Sequence, residues 1–271
     1  MEVSRLERIA AFELFNKLKA EGTSTKVIIK EMQTKFGIPK GTLYNWSTGK
    51  TSPLGSIGKL KFNEEFFYVI GALLGDGCAY YWRNEHQVWL VGDRKFTEKF
   101  AEKLSVCIER KVKSYINRSN NTWFVKISNI LLYNLFKDIR CDLKKLKDLM
   151  EKENFENNSL QFIEGFFDAE GCVKIIKEKV RKTPKICLDI SNNNFELLEI
   201  VKKLMEKQLG IKPKYSIQKP FLGKDGSWRK KNYHLRIYKK EGVRKFMDKI
   251  NSTKLKPEKI PYVQNWLSLT P

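Results

Sequence analysis

Two short stretches constrain this chain more than any other feature. Residues 69–77 (VIGALLGDG) and 163–171 (IEGFFDAEG) each run apolar and close on an acid followed by glycine. At a constant offset of 94 residues, Gly71 pairs with Gly165, Gly75 with Ala169, Asp76 with Glu170, Gly77 with Gly171 and Cys78 with Cys172. If each stretch is helical, its small residues, four apart, share a face on which another backbone can approach closely. The natural partner is the other copy, which sets Asp76 and Glu170 side by side at the ends of two packed helices. Gly77 and Gly171 are then expected to leave those helices with positive φ. Taken singly, an acid and a glycine after an apolar run is an ordinary helix stop or hairpin turn. Two copies in register argue against that reading. A small-residue stripe can also mark a membrane helix, but the apolar run over 66–74 is far short of the roughly twenty residues that span a bilayer.

The repeat also sorts the acids. Asp168 has Leu74 as its counterpart, whereas Asp76 has Glu170, so only the last acid occurs in both copies. Two carboxylates brought together repel and raise one pKa unless a cation sits between them, and hard oxygen ligands suit Mg²⁺. The pair therefore predicts a divalent metal site.

On these residues the chain resembles the LAGLIDADG homing endonucleases in their single-chain, two-motif form. Gly71 and Gly165 match the motif's first glycine, Gly75 and Ala169 its second small position, and Asp76 and Glu170 its metal-binding acid, over about residues 60 to 265. Leu74 departs from the family's commoner acid at a place that is not the metal ligand. The resemblance implies Mg²⁺-dependent hydrolysis of two phosphodiesters, one per strand, across a minor groove. It implies a long asymmetric target, 3′ overhangs, and two or three divalent ions at the helix ends, with water as nucleophile. It also implies a basic residue near each metal. Lys256, in the 254–256 segment, and Lys147, in the 145–147 segment, match that placement, with Lys126 and Arg236 as rivals.

Composition agrees with a nucleic-acid partner. Lys and Arg total 52 against 31 Asp and Glu, a net charge of +21, which attracts any polyanion over long range without saying which one. The start of the chain has no apolar signal region, so a cytoplasmic protein without a membrane partner is expected, or an organellar one in a eukaryote. Five cysteines form no CxxC pair and are read as reduced; Cys78 and Cys172 are read as small apolar strand starts. His86 and His234 lack zinc spacing, and so few histidines disfavour a His-Asn-His nuclease.

Around each motif the coarse pattern repeats. In the first half, strands are expected at 78–82, 87–91, 112–116 and 123–127, with helices at 96–109 and 131–139. In the second, strands are expected at 173–177, 186–191, 214–219 and 233–238, with helices at 195–209 and 242–250. The expected fold class is α+β: two αββαββα half-domains, 59–157 and 158–271, whose pairing resembles the family's pseudo-twofold DNA-binding saddle, with 1–58 as a small all-α domain and linker. Alternation puts Ile186, Leu188, Ile190, Leu235 and Ile237 inward, leaving Lys185, Asp189, Ser191, Cys187, His234, Arg236 and Tyr238 on the outward face. The expected DNA contacts on the saddle are Arg83, Gln87, Lys113, Arg118, Lys126, Lys174, Lys185, Lys214, Arg229, Lys231 and Arg236. Basic clusters over 177–185 and 224–231, the second beside Trp228, read as linkers that lengthen a footprint.

The repeat does not reach residues 1–58. Ser24 can cap a helix through Val27, Ile28, Met32 and Phe36; residues 37–39 form a turn and 40–46 a second helix, which resembles a helix-turn-helix. Leu43 and Trp46 pack inward there, and Lys40, Thr42, Tyr44 and Asn45 face a major groove. Three functions stay open: a monomeric, free-standing, intron-type DNA endonuclease; an intron RNA maturase on the same fold; and a transcription regulator, which would be expected to lose the acids this chain keeps.

Overall fold

The computed structural model describes residues 5–53, 59–82, 85–151, 155–177, 184–223, 225–255 and 258–268. The chain divides into two compact units, 1–58 and 59–271.

The first unit is three helices, α1 (Arg5–Ala20), α2 (Thr25–Phe36) and α3 (Lys40–Ser47). Ala11 and Phe15 of α1 meet Ile28, Ile29 and Met32 of α2, Ile38 of the turn, and Leu43 and Trp46 of α3 in one small core. Trp46 stands edge-on to Phe12, with ring centroids 5.2 Å apart. Gly37 ends α2 at φ 64, returning its N–H to the Gln33 carbonyl, a left-handed cap that glycine enters without steric cost. Ser24 occupies the N-cap position of α2, but its side chain makes no capping bond. The sequence reading missed α1, although Ala11, Leu14, Phe15 and Leu18 stand at helical spacing.

The second unit begins with α4 (Glu64–Asp76), capped by Asn63, whose side chain accepts the Phe66 N–H at 3.1 Å. It continues through β1 (Gly77–Trp82), β2 (Glu85–Gly92), α5 (Arg94–Cys107), β3 (Tyr115–Asn117), β4 (Thr122–Ser128), α6 (Ile130–Cys141) and α7 (Lys144–Met150). The second copy runs α8 (Phe155–Glu170), β5 (Gly171–Ile176), β6 (Lys185–Asn192) and α9 (Phe195–Leu204), whose last turn widens to a π-helix over Met205–Leu209. It then runs β7 (Lys214–Gln218), β8 (Phe221–Leu222), β9 (Trp228–Arg229), β10 (Asn232–Ile237), α10 (Lys240–Lys249) and α11 (Ile260–Ser268).

Two antiparallel four-stranded sheets have the same order, β1-β2-β4-β3 and β5-β6-β10-β7. Their registers match: Gly77 faces Leu90 as Gly171 faces Ile190, and Trp89 faces Lys126 as Asp189 faces Arg236. Val88, Leu90, Val125 and Ile127 of one sheet, and Ile186, Leu188, Ile190, Leu235 and Ile237 of the other, pack under the helices. With Phe66, Phe67, Tyr68, Phe162, Phe166 and Phe167 they form a single core that crosses both halves.

Several expectations need correction. Gly77 and Gly171 are not among the positive-φ residues, and Gly77 leaves α4 at φ −86. Crowding excludes a side chain instead: a Cβ would lie 2.5 Å from the Leu73 carbonyl oxygen at Gly77 and 2.4 Å from that of Phe167 at Gly171. The strand expected at 112–116 is shorter and later, Tyr115–Asn117. Cys78 and Cys172 start strands as expected but are exposed, so they are not apolar filling. The 224–231 cluster is partly structured, as β9 pairs with β8, and α7 and α11 lie outside the repeat pattern. Residues 178–183 and Lys224 lie outside the described residues.

Candidate metal centre and nucleic-acid interface

The site is built by close contact of α4 with α8. A Cβ on Gly165 would lie 2.0 Å from the Tyr68 carbonyl oxygen, one on Gly71 2.4 Å from that of Phe162, and one on Gly75 2.4 Å from the Ala169 Cβ. Only residues without bulk allow the two backbones to touch there, and the contact carries the C-terminal acids together: the same Cβ position on Gly75 is 3.0 Å from Glu170 Cγ. Asp76 stays open to solvent at the rim, and Glu170 is half-buried. Desolvation pushes the Asp76 carboxyl above its ordinary value, opposed by the Lys254 charge. Glu170 rises to about 7, first through burial and then through the neighbouring Asp76 charge, opposed by an Asn192 hydrogen bond and by Lys254. Asn192 donates its side-chain amide to Glu170 Oε1 at 2.6 Å. Two hard carboxylates, both raised by desolvation and Glu170 also by the Asp76 charge, form a donor set suited to a divalent cation.

Asp168, the acid without a repeat partner, is wholly buried and accepts four donors. Tyr68 Oη reaches it at 2.8 Å, Lys99 Nζ at 3.2 Å, Ser252 Oγ at 2.6 Å and the Thr253 N–H at 2.8 Å. Lys99 also pairs with Glu164 at 2.8 Å, and Glu164 accepts the Asn251 N–H at 3.1 Å. Burial, then the Asp168 charge, pushes the Tyr68 hydroxyl up, so it remains a donor. This network ties α4 and α5 of the first half to α8 and the 251–253 segment of the second.

The expected basic partners are placed differently. Lys256 lies outside the described residues. Lys147 is exposed on α7, and none of the described contacts brings it to the acids. Lys254, two residues before Lys256, is the lysine whose charge acts on both carboxylates, and its Nζ lies 5.7 Å from the Phe96 ring centroid. The sequence hint was present in the 254–256 segment, but which lysine turns toward the acids depends on the turn that holds it.

Beside Glu170 opens a cavity of 670 Å³ lined by Leu74, Gly75, Arg140, Asn192, Gln218, Arg229, Lys230 and Lys231 among others. Arg140 and the Asn192–Asn194 run had gone unread. The rest of the expected contacts divide into three groups. Lys113, Arg118, Lys126, Lys214 and Lys231 are exposed, with Lys126 lying over the Trp89 ring at 4.7 Å and Lys231 over Tyr233 at 4.8 Å. Lys185 is half-buried over Tyr238 at 5.5 Å, and Arg229 pairs with Asp225 at 2.7 Å within its own hairpin. Others are already engaged: Lys174 bonds Asp189, Arg236 Nε reaches Asp189 at 3.1 Å, and Gln87 is buried against Glu85 and Trp89. Asp189 and His234, read as outward, are on that face but buried, His234 Nδ1 lying 3.2 Å from Asp189. Burial pushes the Asp189 carboxyl up, but the Lys174 hydrogen bond and the charges of His234, Lys174 and Arg236 outweigh it and hold the group below its ordinary value. Arg83 lies outside the described residues. In the first unit, Lys40 and Tyr44 are exposed and Thr42 and Asn45 half-exposed on α3, while Leu43 and Trp46 are buried.

Comparison with known proteins gives this geometry a lineage. Residues 157–251 match the LAGLIDADG-like domain family. A Methanocaldococcus jannaschii protein described as uncharacterized, MJ0398, is 26% identical over 96% of this chain and 94% of its own. The homing endonuclease I-ApeI of Aeropyrum pernix is 26% identical over 66% of this chain and 78% of its own. Variants of the homing endonuclease I-DmoI share the fold, with a TM-score of 0.50 and 23% identity over 71% of this chain and 98% of theirs. One motif helix, α8, thus lies in the matched LAGLIDADG-like domain over residues 157–251, and the other, α4, packs against it in register.

Proposed function

We propose that this chain is a site-specific double-strand DNA endonuclease of the homing type. One observation carries the reading: Asp76 and Glu170 are brought together at the ends of two touching helices, each with its carboxyl pushed up by desolvation. The similarity to I-ApeI supports it. Mg²⁺ held by Asp76 and Glu170 would lower the pKa of its water and neutralise phosphate charge. Around that pair the chain's own groups have separate tasks. Asn192 orients Glu170 by donating to its Oε1. Lys254 supplies positive charge next to both acids, and Arg140, Arg229, Lys230 and Lys231 draw a phosphate backbone into the cavity beside Glu170. The two sheets would lie along a long, asymmetric duplex, asymmetric because the residues at matching sheet positions differ. Cleavage of one phosphodiester in each strand across the minor groove would leave 3′ overhangs. With both motifs in one compact unit, a monomer suffices. The three-helix unit would add contacts through Lys40, Thr42, Tyr44 and Asn45 in the manner of a helix-turn-helix.

The test is incubation of the purified chain with Mg²⁺ and a randomised duplex library, beside Asp76→Asn and Glu170→Gln. Cutting at one long site, lost by at least a thousandfold in both variants, is the expected result. Tight duplex binding by the wild type without cutting would overturn the reading in favour of a binding module.

A further inference from the structure

Asp168 has no place in the chemistry just described, yet among the described residues it is buried with four donors on it. Two of those donors, Ser252 Oγ and the Thr253 N–H, belong to the segment that precedes Lys254. Ser252 Oγ donates to Asp168 at 2.6 Å and in turn accepts the Lys254 N–H at 3.0 Å. A continuous path therefore runs from the Asp168 carboxylate through one hydroxyl to the backbone of Lys254. The other side of Asp168 is fixed by Tyr68 and Lys99, both from the first half. Lys99 adds a bond to the Asn251 carbonyl, so the turn is gripped at 251, 252 and 253. The acid stands two residues before Glu170 on the same helix, so its position is set by the same contact that sets the carboxylate pair.

We propose that Asp168 is a positioning residue for Lys254: through Ser252 and the Thr253 amide it clamps the 251–253 turn, so that the Lys254 ammonium faces both Asp76 and Glu170. This rests on reading those two acids as the metal-holding pair. The clamp exists on one side only. At the repeat offset the counterpart of Asp168 is Leu74, which can accept no hydrogen bond, and Lys147 lies exposed on α7. The acid pair is thus served by a cation from the second half with no described equivalent from the first.

A positioned ammonium competes with a divalent ion for the same carboxylates, which gives a readout independent of cleavage. Mn²⁺ titration of the full, DNA-free chain by calorimetry is expected to tighten about tenfold in Lys254→Met, because one nearby positive charge is lost. Ser252→Ala and Asp168→Asn should each tighten it about threefold by letting Lys254 wander, and neither should change it further in the Lys254→Met background. Ser252→Ala is the gentler variant, so the cycle stands even if Asp168→Asn does not fold. Equal effects of Ser252→Ala with and without Lys254 would overturn the proposal, as would an unchanged affinity in Lys254→Met. If the wild type binds no Mn²⁺, the metal reading of the proposed function fails by itself. Amide hydrogen exchange then decides the clamp. Protection of the Thr253 and Lys254 amides that falls tenfold or more in Asp168→Asn supports it, and unprotected amides in the wild type refute it.

Discussion

The two half-domains have the same sheet order and register but different chemistry at the centre of the outward face. In the first sheet the central position is Trp89, facing Lys126 with its Nζ 4.7 Å from the indole centroid, and Phe124 stacks beside it at 6.2 Å. In the second sheet the same position is Asp189, facing Arg236 and bound also by Lys174 and His234. One half presents an aromatic floor with an exposed cation lying over it. The other presents a buried carboxylate that already holds its cations. The backbone repeats because strand order, turn lengths and the glycine contact repeat. The faces diverge because nothing in the core reads the outward side chains, which leaves them open to specialise for different halves of a partner.

The largest expected effect concerns what the halves share. Gly165→Ala places a Cβ 2.0 Å from the Tyr68 carbonyl oxygen, and it should destabilise the unit by about 3 kcal/mol in urea unfolding. A change below about 0.5 kcal/mol would mean that the helices slide apart without cost and would break the picture of a fixed pair.

The next effect separates the halves. Asp189→Ala leaves Lys174, His234 and Arg236 without their common acceptor and is expected to cost 2–3 kcal/mol, roughly, more than Trp89→Ala. The same variant should bind an arbitrary duplex more tightly and steepen the salt dependence by up to about two ions, since two cations are released for phosphate. Lys126→Met should instead flatten that dependence by about one. Equal salt slopes for the two variants would contradict the difference between the faces.

A third prediction follows from Glu170. Its folded value of about 7 stands above the ordinary 4.5, so between those values the folded state binds more protons than the unfolded state. The stabilisation this gives is present at low pH and lost as pH rises through 7. In EDTA the protein should therefore lose on the order of 2 kcal/mol between pH 5 and pH 8 from this group, and Glu170→Gln should remove that slope. Mg²⁺ should restore stability at the upper end, where the carboxylate is ionised. An unchanged slope in Glu170→Gln would show that the acid pair is not desolvated.

The smallest effect tests equivalence. Asp93 and Asn194 cap α5 and α9 at matching places, accepting the Phe96 N–H at 3.0 Å and the Leu197 N–H at 3.1 Å. Alanine at either should cost about 1 kcal/mol. Ser24→Ala, where no capping bond is made, should cost less, by thermal unfolding.

Much of this was legible without coordinates. The offset of 94 residues identified both motif helices, their touching glycines and the two acids, because a contact that excludes every side chain leaves a mark in residue type. Strand alternation separated Leu188 and Ile190 from Asp189 correctly as to face. It did not show that Asp189 is buried on that face, since burial there depends on Lys174, His234 and Arg236 converging from two neighbouring strands. Nor could spacing assign a role to Asp168, whose donors come from positions 68, 99, 252 and 253. The positive φ expected at Gly77 was wrong for a related reason: the glycine answers to a carbonyl four residues back, not to a turn.

The sequence by itself determined the twofold plan, the acid pair and the cationic character of the chain, all of which rest on local residue type or on repetition at a fixed distance. Only the tertiary structure decided which cation faces the acids, which acid holds it there and which polar residues of the two sheets are already spoken for. The first two depend on hydrogen bonds between segments more than eighty residues apart and the last on side chains that converge from neighbouring strands, and such bonds leave no periodic trace in the chain.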